Sequence, residues 1–412
     1  MRADLTGTDL GRVIRRLEAK HRSRPLASRG RSLEEMPGAA IEETARGPIL
    51  AVRSRFDLDH RHGRQRLAGG PAVGSLGLLS RPGAEPLEGR RLLFLDTETT
   101  GLAGGTGTYA FLVGLGFFDD EGFEVRQYFM RDLDEEPALL AAVEAVFQDF
   151  DGFVTYNGGG FDLPLLETRF VLGRQRWRDD RVHLDLLGPA RRLWSSRLAD
   201  CRLATVERAV LRFTREDDLP GGSIPTAYFD YLRRKQPGQM PRVFEHNRHD
   251  LLSLAALTSW VADAVDRAPA DDLHPEELAA LGRLWERVDV DRGLACYRMA
   301  LDLGLSSPSR EETLLRLALR EKRRARWDEA RVLWEAAIDG GGFDPRPWEE
   351  MAKLYEHRWR DLGAALSVVE AALLSADRHG ANPRVVEALA HRSGRLTRKL
   401  ERATARRETP SG

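Results

Sequence analysis

Leu92-Leu93-Phe94-Leu95-Asp96-Thr97-Glu98-Thr99-Thr100-Gly101-Leu102 is the stretch on which the reading of this chain turns. Four consecutive apolar residues bounded by turn-forming and charged neighbours have the pattern of a buried strand. Two acids follow, two residues apart, and on a strand positions i and i+2 face the same side. Carboxylates that leave a buried strand together repel each other and lose hydration, so they need a compensating cation. Oxygen ligands of this kind suit Mg²⁺ or Mn²⁺. The alternative is a pair of acids just past the strand end, in a solvated Thr-Thr-Gly turn.

Working outward, Thr108 to Phe118 forms a second apolar run punctuated by Gly114 and Gly116, and Phe123 to Met130 alternates as a third strand. Leu139, Leu140, Val143, Val146 and Phe147 recur at helical spacing within Glu136 to Phe150, and a fourth strand follows at Gly152 to Tyr156. Pro164 to Leu172 suits a helix, Val182 to Leu186 a short strand, and Val243 to Asp266 a long helix. Three strands followed by alternating helices and strands predict a mixed α/β domain. Residues 1 to 88 carry scattered Arg, Gly and Pro and end in the turn-rich Ser80 to Gly89; they are expected to be a partly flexible basic region. Within it Gly47 to Arg53 could form a short strand, and Arg53 to Gly63 reads as an ordered excursion.

After Pro269 the strand pattern stops. Gly293 and Ala300, Ala330 and Ala337, Ala365 and Ala372 repeat a seven-residue pair of small residues at spacings of 37 and then 35. These approach the period of roughly 34 residues in tetratricopeptide (TPR) arrays. Asp344-Pro345 adds a turn before a helix near Trp348. The expected organisation is therefore an α/β domain at 89–268, an all-α TPR-like helical-repeat domain at 269–403 and a disordered tail at 404–412. An unrelated helical bundle is the other reading of the third segment.

A third acid lies in Tyr156-Asn157-Gly158-Gly159-Gly160-Phe161-Asp162-Leu163-Pro164, where a strand empties into a glycine-rich turn and a helix begins. Asp162 at that point serves as helix N-cap, metal ligand or both. Phe161 is expected in the core, with wedging against a nucleobase as the alternative. A fourth acid lies in Phe244-Glu245-His246-Asn247-Arg248-His249-Asp250. His246 and Asp250, four residues apart on a helix, share a face. An imidazole placed there could take a proton from an attacking water, or could be a plain surface residue. Asp185, preceded by His183, is open between the same cleft and a structural hydrogen-bonding role; Asp217 and Asp218 read as loop acids. The glycines at 104, 105 and 107 loosely fit a dinucleotide fingerprint, but a strand rather than a helix follows them. They read instead as a flexible turn beside the acids, where small residues let a nucleic-acid backbone approach.

Together these stretches resemble the DEDD exonuclease superfamily of ribonuclease-H-like fold. They resemble more closely the bacterial YprB-like family, from about Pro48 to Asp263, through Gly107 to Gly114, His183 to Leu187, Arg191 to Trp194, Ile224-Pro225 and His246-Asn247 before Asp250. The resemblance implies a ribonuclease-H-like mixed sheet flanked by helices and a 3′→5′ exonuclease acting on single-stranded or frayed DNA or RNA. It further implies two Mg²⁺ or Mn²⁺ ions, bridged by Asp96, held on either side by Glu98 and Asp162 and completed by Asp250, with His246 as catalytic base. Superfamily members usually carry His five residues or Tyr four residues before the last Asp, whereas His246 stands four before it.

Bulk properties limit the alternatives. The 412 residues suggest two or three domains, and 42% hydrophobic with 31% charged residues is a globular composition. A net charge of −1 leaves no global field to draw nucleic acid, so any attraction must be local. Basic clusters occur at Arg12 to Lys20, Arg320 to Arg326 and Arg392 to Arg407, and each alone reads as a solvated helix face or tail. Cys201 and Cys296 are too few for a disulfide framework or thiolate zinc site, and no apolar run of about 18 residues appears, so a cytoplasmic, non-membrane protein is expected. Two other readings stand beside the exonuclease. One is a weakly active or inactive platform binding nucleic acid or a protein partner through its helical repeats; the other is a small-phosphoester hydrolase, disfavoured by the lack of a phosphate-binding loop.

Overall fold

The computed structural model describes residues 32–67, 76–79, 86–101, 107–177 and 180–408. The basic cluster at Arg12 to Lys20 and the glycines at 104 and 105 lie outside them. Two compact units divide at Arg267/Ala268.

The first unit is built on a seven-stranded mixed sheet. Its strands are β1 (Ala39–Thr44), β2 (Gly47–Asp57), β5 (Leu92–Thr99), β6 (Ala110–Asp119), β7 (Gly122–Phe129), β8 (Gly152–Thr155) and β9 (Val182–Asp185). A separate two-stranded hairpin joins β3 (Arg61–His62) to β4 (Gln65–Arg66). The sheet order is β1-β2-β7-β6-β5-β8-β9, antiparallel from β1 to β5 and parallel from β5 through β9. β5 sits inside the sheet, and Leu93, Phe94 and Leu95 are each 0–1% exposed. A strand covered on both faces reads as a continuous apolar run rather than an alternating one, which is why the opening stretch lacks a period. The expected domain edge at 88/89 does not coincide with the edge of this sheet. β1 and β2 precede it in sequence and extend the antiparallel side, with Ile49, Leu50, Ala51 and Val52 buried in the common core.

Helices α1 (Glu136–Phe147), α2 (Asp162–Leu172), α3 (Leu187–Trp194), α4 (Leu203–Val206, continued by a π turn to Leu211), α5 (Ile224–Arg234) and α6 (Met240–Arg267) complete the unit. α6 packs on β5, β6 and β7, and α1 on β2 and β7. Phe111 stacks on Tyr228 of α5 with ring centroids 3.9 Å apart, tying the inner strands to that helix. Phe161 departs from expectation: it is 37% exposed at the mouth of the glycine turn rather than in the core.

The second unit is all-helical: α7 (Pro275–Trp285), α8 (Val290–Asp302), α9 (Ser309–Arg323), α10 (Trp327–Ile338), α11 (Pro345–Lys353, continued by a π turn to Arg358), α12 (Leu362–Arg378) and α13 (Pro383–Glu408). Consecutive helices pair as α7–α8, α9–α10 and α11–α12, with α13 against α12. Asp289, Asp344 and Asp361 cap α8, α11 and α12 through their side chains. All six small residues picked out by the 37- and 35-residue spacings are buried on the second helix of a pair. α13 is helical to Glu408, so residues 404–408 of the expected tail belong to the helix, and the rest of it lies outside the described residues; Arg, Ala and Glu favour continuing the helix. Among the described residues no helix is long and apolar enough to cross a membrane.

Gly293 shows how tightly one pair is set. A Cβ there would lie 2.6 Å from the backbone nitrogen of Glu286 and 2.8 Å from its Cα. Gly293→Ala should therefore destabilise the helical unit by about 1–3 kcal/mol, read as a lower denaturation midpoint by far-ultraviolet circular dichroism. An unchanged midpoint would mean that the α7–α8 approach is looser than described.

Candidate active site

β5 delivers Asp96 and Glu98 at the end of the sheet where the glycine turn, α2 and α6 meet. Glu98, Asp162 and Asp250 are 9%, 8% and 9% exposed, and Asp96 is partly exposed. Asp162 opens α2 but makes no side-chain cap, so the capping alternative is not realised. Its Oδ1 instead accepts a 2.5 Å hydrogen bond from Thr97 Oγ1, the residue between the two β5 acids. His246 and Asp250 do share a face of α6. One oxygen or nitrogen from each of Glu98, His246 and Asp250 lies within 4.8 Å of the others, a spacing able to hold a metal ion. His246 Nε2 is 3.5 Å from Asp250 Oδ2 and 4.0 Å from Glu98 Oε1.

A set of neutral groups fixes this arrangement. Asn247 Nδ2 donates to Asp96 Oδ2 at 2.7 Å, and its Oδ1 accepts from Gln127 Nε2 at 2.8 Å. Gln127 Nε2 also donates to the carbonyl of Phe244 at 2.8 Å, so the amide orientation of Asn247 is set from both ends. Asn247 reaches Asp96 across the backbone of Gly114, the cross-strand partner of Asp96. A Cβ at 114 would meet Asn247 Oδ1 at 2.1 Å.

The charges are less balanced. Burial first, then the neighbouring Asp250 and Asp162, hold the Asp96 carboxyl well above the usual range, with Asn247 and Arg215 pulling the other way. Burial, then Asp96, Asp250 and Asp162, do the same to Glu98. Asp162 is pushed up to about 6, chiefly by burial and against the Thr97 hydrogen bond. Glu98 Oε1 is buried and has no hydrogen-bond partner among the described residues. A buried carboxylate oxygen without a donor, among other carboxylates, fits a missing cation. The all-oxygen set of Asp96, Glu98, Asp162 and Asp250, with one imidazole beside it, suits a hard divalent ion.

Arg215 and Glu207 were not legible in the sequence. The Arg215 guanidinium closes on Asp250 and on Glu207, whose Oε1 it reaches at 2.5 Å. Ser253 Oγ donates to the same Glu207 oxygen at 2.5 Å, and His62 Nε2 lies 2.7 Å from Ser253 Oγ. Burial lowers His62 to about 3, so the ring is neutral, and the hairpin β3–β4 is joined to the back of the site without added charge. Asp218 also corrects its reading as a plain loop acid. Its Oδ1 lies 2.7 Å from His246 Nδ1. Arg215 Nη1 stands 3.4 Å from the same nitrogen, and Nε2 faces Glu98 and Asp250. Arg215 lies in a coil with no hydrophobic period to place it. A signal was present on α6, where polar residues 246, 247, 250 and 253 recur at three- and four-residue spacing.

Asp185 takes the structural alternative. Its carboxylate accepts from the backbone amides of Asn157, Gly159 and Leu187 at 2.8, 3.2 and 3.0 Å, fixing the glycine turn that precedes Asp162. His183 Nε2 lies 2.9 Å from Thr155 Oγ1 at the base of that turn.

Comparison with known proteins agrees with this geometry. Residues 93–262, from β5 into α6, match a family of the RNase_H superfamily. The chain is 31% identical over 353 residues to the uncharacterized protein YprB of Bacillus subtilis (strain 168), covering 84% of each sequence. Among solved structures, the family B DNA polymerase of the archaeon Pyrobaculum calidifontis is similar over 51% of this chain and 29% of the polymerase. It shares 18% identity at a TM-score of 0.33, and this chain spans less than a third of its length.

Two expectations follow. Asp96, Glu98 and Asp162 keep their protons to higher pH in the native state than in the unfolded chain, so without metal their contribution to stability falls as pH rises from about 4 through the raised native values, about 6 for Asp162. Asp96→Asn keeps an acceptor for Asn247 and removes the cost of burying a carboxylate there or of taking up a proton to neutralise it. In chelator at pH 7 it should melt about 2–4 °C above the parent protein, for a gain near 1 kcal/mol, and should lose most of the rise in Tm that Mn²⁺ gives the parent. A lower metal-free Tm would contradict that cost. Gly114→Ala should displace Asn247, destabilise the unit by about 1–3 kcal/mol and reduce Mn²⁺ affinity measured by calorimetry; unchanged Mn²⁺ affinity would detach Asn247 from the site.

Proposed function

The chain belongs to the YprB-like family within the ribonuclease H superfamily, and on that footing we propose that it is a metal-dependent 3′→5′ exonuclease of single-stranded or frayed nucleic acid. The observation that carries the proposal is the convergence of Glu98, His246 and Asp250 within 4.8 Å, beside Asp96 and Asp162, with the buried Glu98 Oε1 left without a donor. Asp96, Glu98, Asp162 and Asp250 would hold two Mg²⁺ or Mn²⁺ ions. When bound, such ions lower the pKa of a water and stabilise the charge that develops on a displaced phosphodiester.

The side chains do the rest. Asn247, held by Gln127, keeps Asp96 aimed into the site in a single orientation. His246, with Nδ1 held 2.7 Å from Asp218, would offer Nε2 to accept a proton from the attacking water. Its place four residues before Asp250 is one helical turn away, so the departure from the usual histidine spacing still leaves the ring beside the acids. Arg215 sets the position of Asp250 and offsets part of the negative charge that a phosphate must approach. The 3′→5′ polarity rests on the family resemblance, and the TPR-like reading of the second unit on its three successive helical pairs.

With Mn²⁺ or Mg²⁺ the purified protein should shorten a 5′-labelled single-stranded oligonucleotide progressively from its 3′ end. Asp96→Asn should reduce this to background, and His246→Ala should slow it by about 10²–10⁴-fold. Asp96→Asn with parental activity would remove the assigned chemistry. Full activity in His246→Ala would leave the metal reading intact and exclude the imidazole as base.

A further inference from the structure

Two basic stretches of sequence far from the carboxylate site come together in the helical unit. Lys322 of α9, Lys353 of α11, Arg358 just beyond it, and Arg392 and Arg395 of α13 line one cavity of about 570 Å³, with Trp327 and Glu350 in its wall. The cavity is not neutralised from within. Lys322 and Lys353 both close on Glu350, the second at 2.9 Å. Glu356, buried behind the wall, takes Arg395 at 2.5 and 2.7 Å, with Arg392 3.8 Å away. Lys353 also pairs with Glu349 at 3.5 Å, so three acids face five cations. Arg358 forms no ion pair among the described residues and stands over the Trp327 ring, 5.5 Å from its centroid. The Trp327 indole N–H is buried without a partner among them. Trp359, next in the chain, is 37% exposed.

We propose that this cavity binds single-stranded nucleic acid, its arginines and lysines taking successive phosphates and the Trp327–Arg358 pair offering a flat surface to a base. Excess positive charge alone would suit any polyanion. The combination of arginines, which match phosphate oxygens two at a time, with an indole face is what a strand of unpaired bases uses. An acidic peptide would satisfy the charges and leave the aromatic surface idle. Because the chain as a whole is near neutral, a local site of this kind is also what binding requires. The inference does not depend on hydrolysis in the first unit.

The test uses the full chain in EDTA, where metal-dependent cleavage is off, and a fluorescein-labelled 15-nucleotide oligothymidylate followed by anisotropy across a salt series. Arg358→Gln with Arg392→Gln should weaken binding on the order of tenfold and make the log–log salt dependence shallower by about 1.4, two phosphate contacts at roughly 0.7 each. Arg323→Gln with Arg378→Gln removes the same charge outside the cavity and should leave affinity within about twofold. If the first pair fails to fold by circular dichroism, the single exposed Arg358→Gln carries the same expectation at about threefold. Unchanged binding in the cavity variants, or an equal loss in the outer pair, overturns the proposal. A labelled ten-residue polyglutamate that binds more tightly than the oligonucleotide through the same arginines overturns it in favour of an acidic peptide. Loss of cleavage without loss of this binding would fault the nuclease reading alone.

Discussion

Repulsion among buried carboxylates is the constraint around which the first unit is arranged. Asp96, Glu98, Asp162 and Asp250 arrive from three elements, and Asp96, Asp162 and Asp250 are close enough to raise the proton affinity of their neighbours. Nothing in hydrophobic packing would gather them, because each loses hydration on entering and gains a like-charged neighbour. Arg215 relieves part of this, yet it is shared with Glu207, so the excess of negative charge remains. A fold that sustains such an excess has stability to spare elsewhere, here in the first half of β5 and in β6, which are apolar on both faces. The same excess makes the site receptive to a divalent cation, since the repulsion that strains the metal-free form is removed when one binds.

What holds the acids is largely uncharged. The Gln127–Asn247–Asp96 chain runs from the middle of the sheet through α6 to the site, and it passes over Gly114 because any side chain there would occupy the space of the Asn247 amide. A charged partner in place of Asn247 would neutralise Asp96 and weaken its call on a cation; an amide orients it and leaves its charge available. The back of the site follows the same logic. His62 is buried and neutral, and together with Ser253 it secures Glu207 and, through it, Arg215 without adding a further cation.

Much of this was readable from sequence where a period or a spacing carries the information. The apolar run before Asp96, the i, i+2 pair on β5, the glycine turn before Asp162 and the i, i+4 pair on α6 each fix a side chain through local geometry alone. The elements that escaped are those placed by tertiary contact. β2 was seen only as a short piece, because its outer half alternates polar residues whose partners on β7 lie some seventy positions away. Arg215 and Asp218 sit in coil, where no periodicity exists and position is set by Asp250 and His246. Asp162 was legible as a residue of the site, but its contact with Thr97 was not, since that depends on how two distant segments meet. Phe161 misled because an aromatic beside a helix start is ordinarily packed inward, whereas here the glycine turn carries it to the surface.

The near-zero net charge of the chain conceals a separation of sign that matters more than the total. The first unit concentrates acid where the substrate of a phosphodiesterase would react, which by itself would repel a polyanion. The second concentrates arginine and lysine around a cavity lined in part by tryptophan, assembled from Lys322, Arg358 and Arg392 that are dispersed along the sequence. At physiological salt, fields from surface charge fade within about 8 Å, so neither patch is cancelled by the other unless they lie in contact. Under the proposed function, long-range steering contributes little and a strand is captured by close contact against the local negative potential, for which a basic, aromatic-walled cavity is chemically suitable.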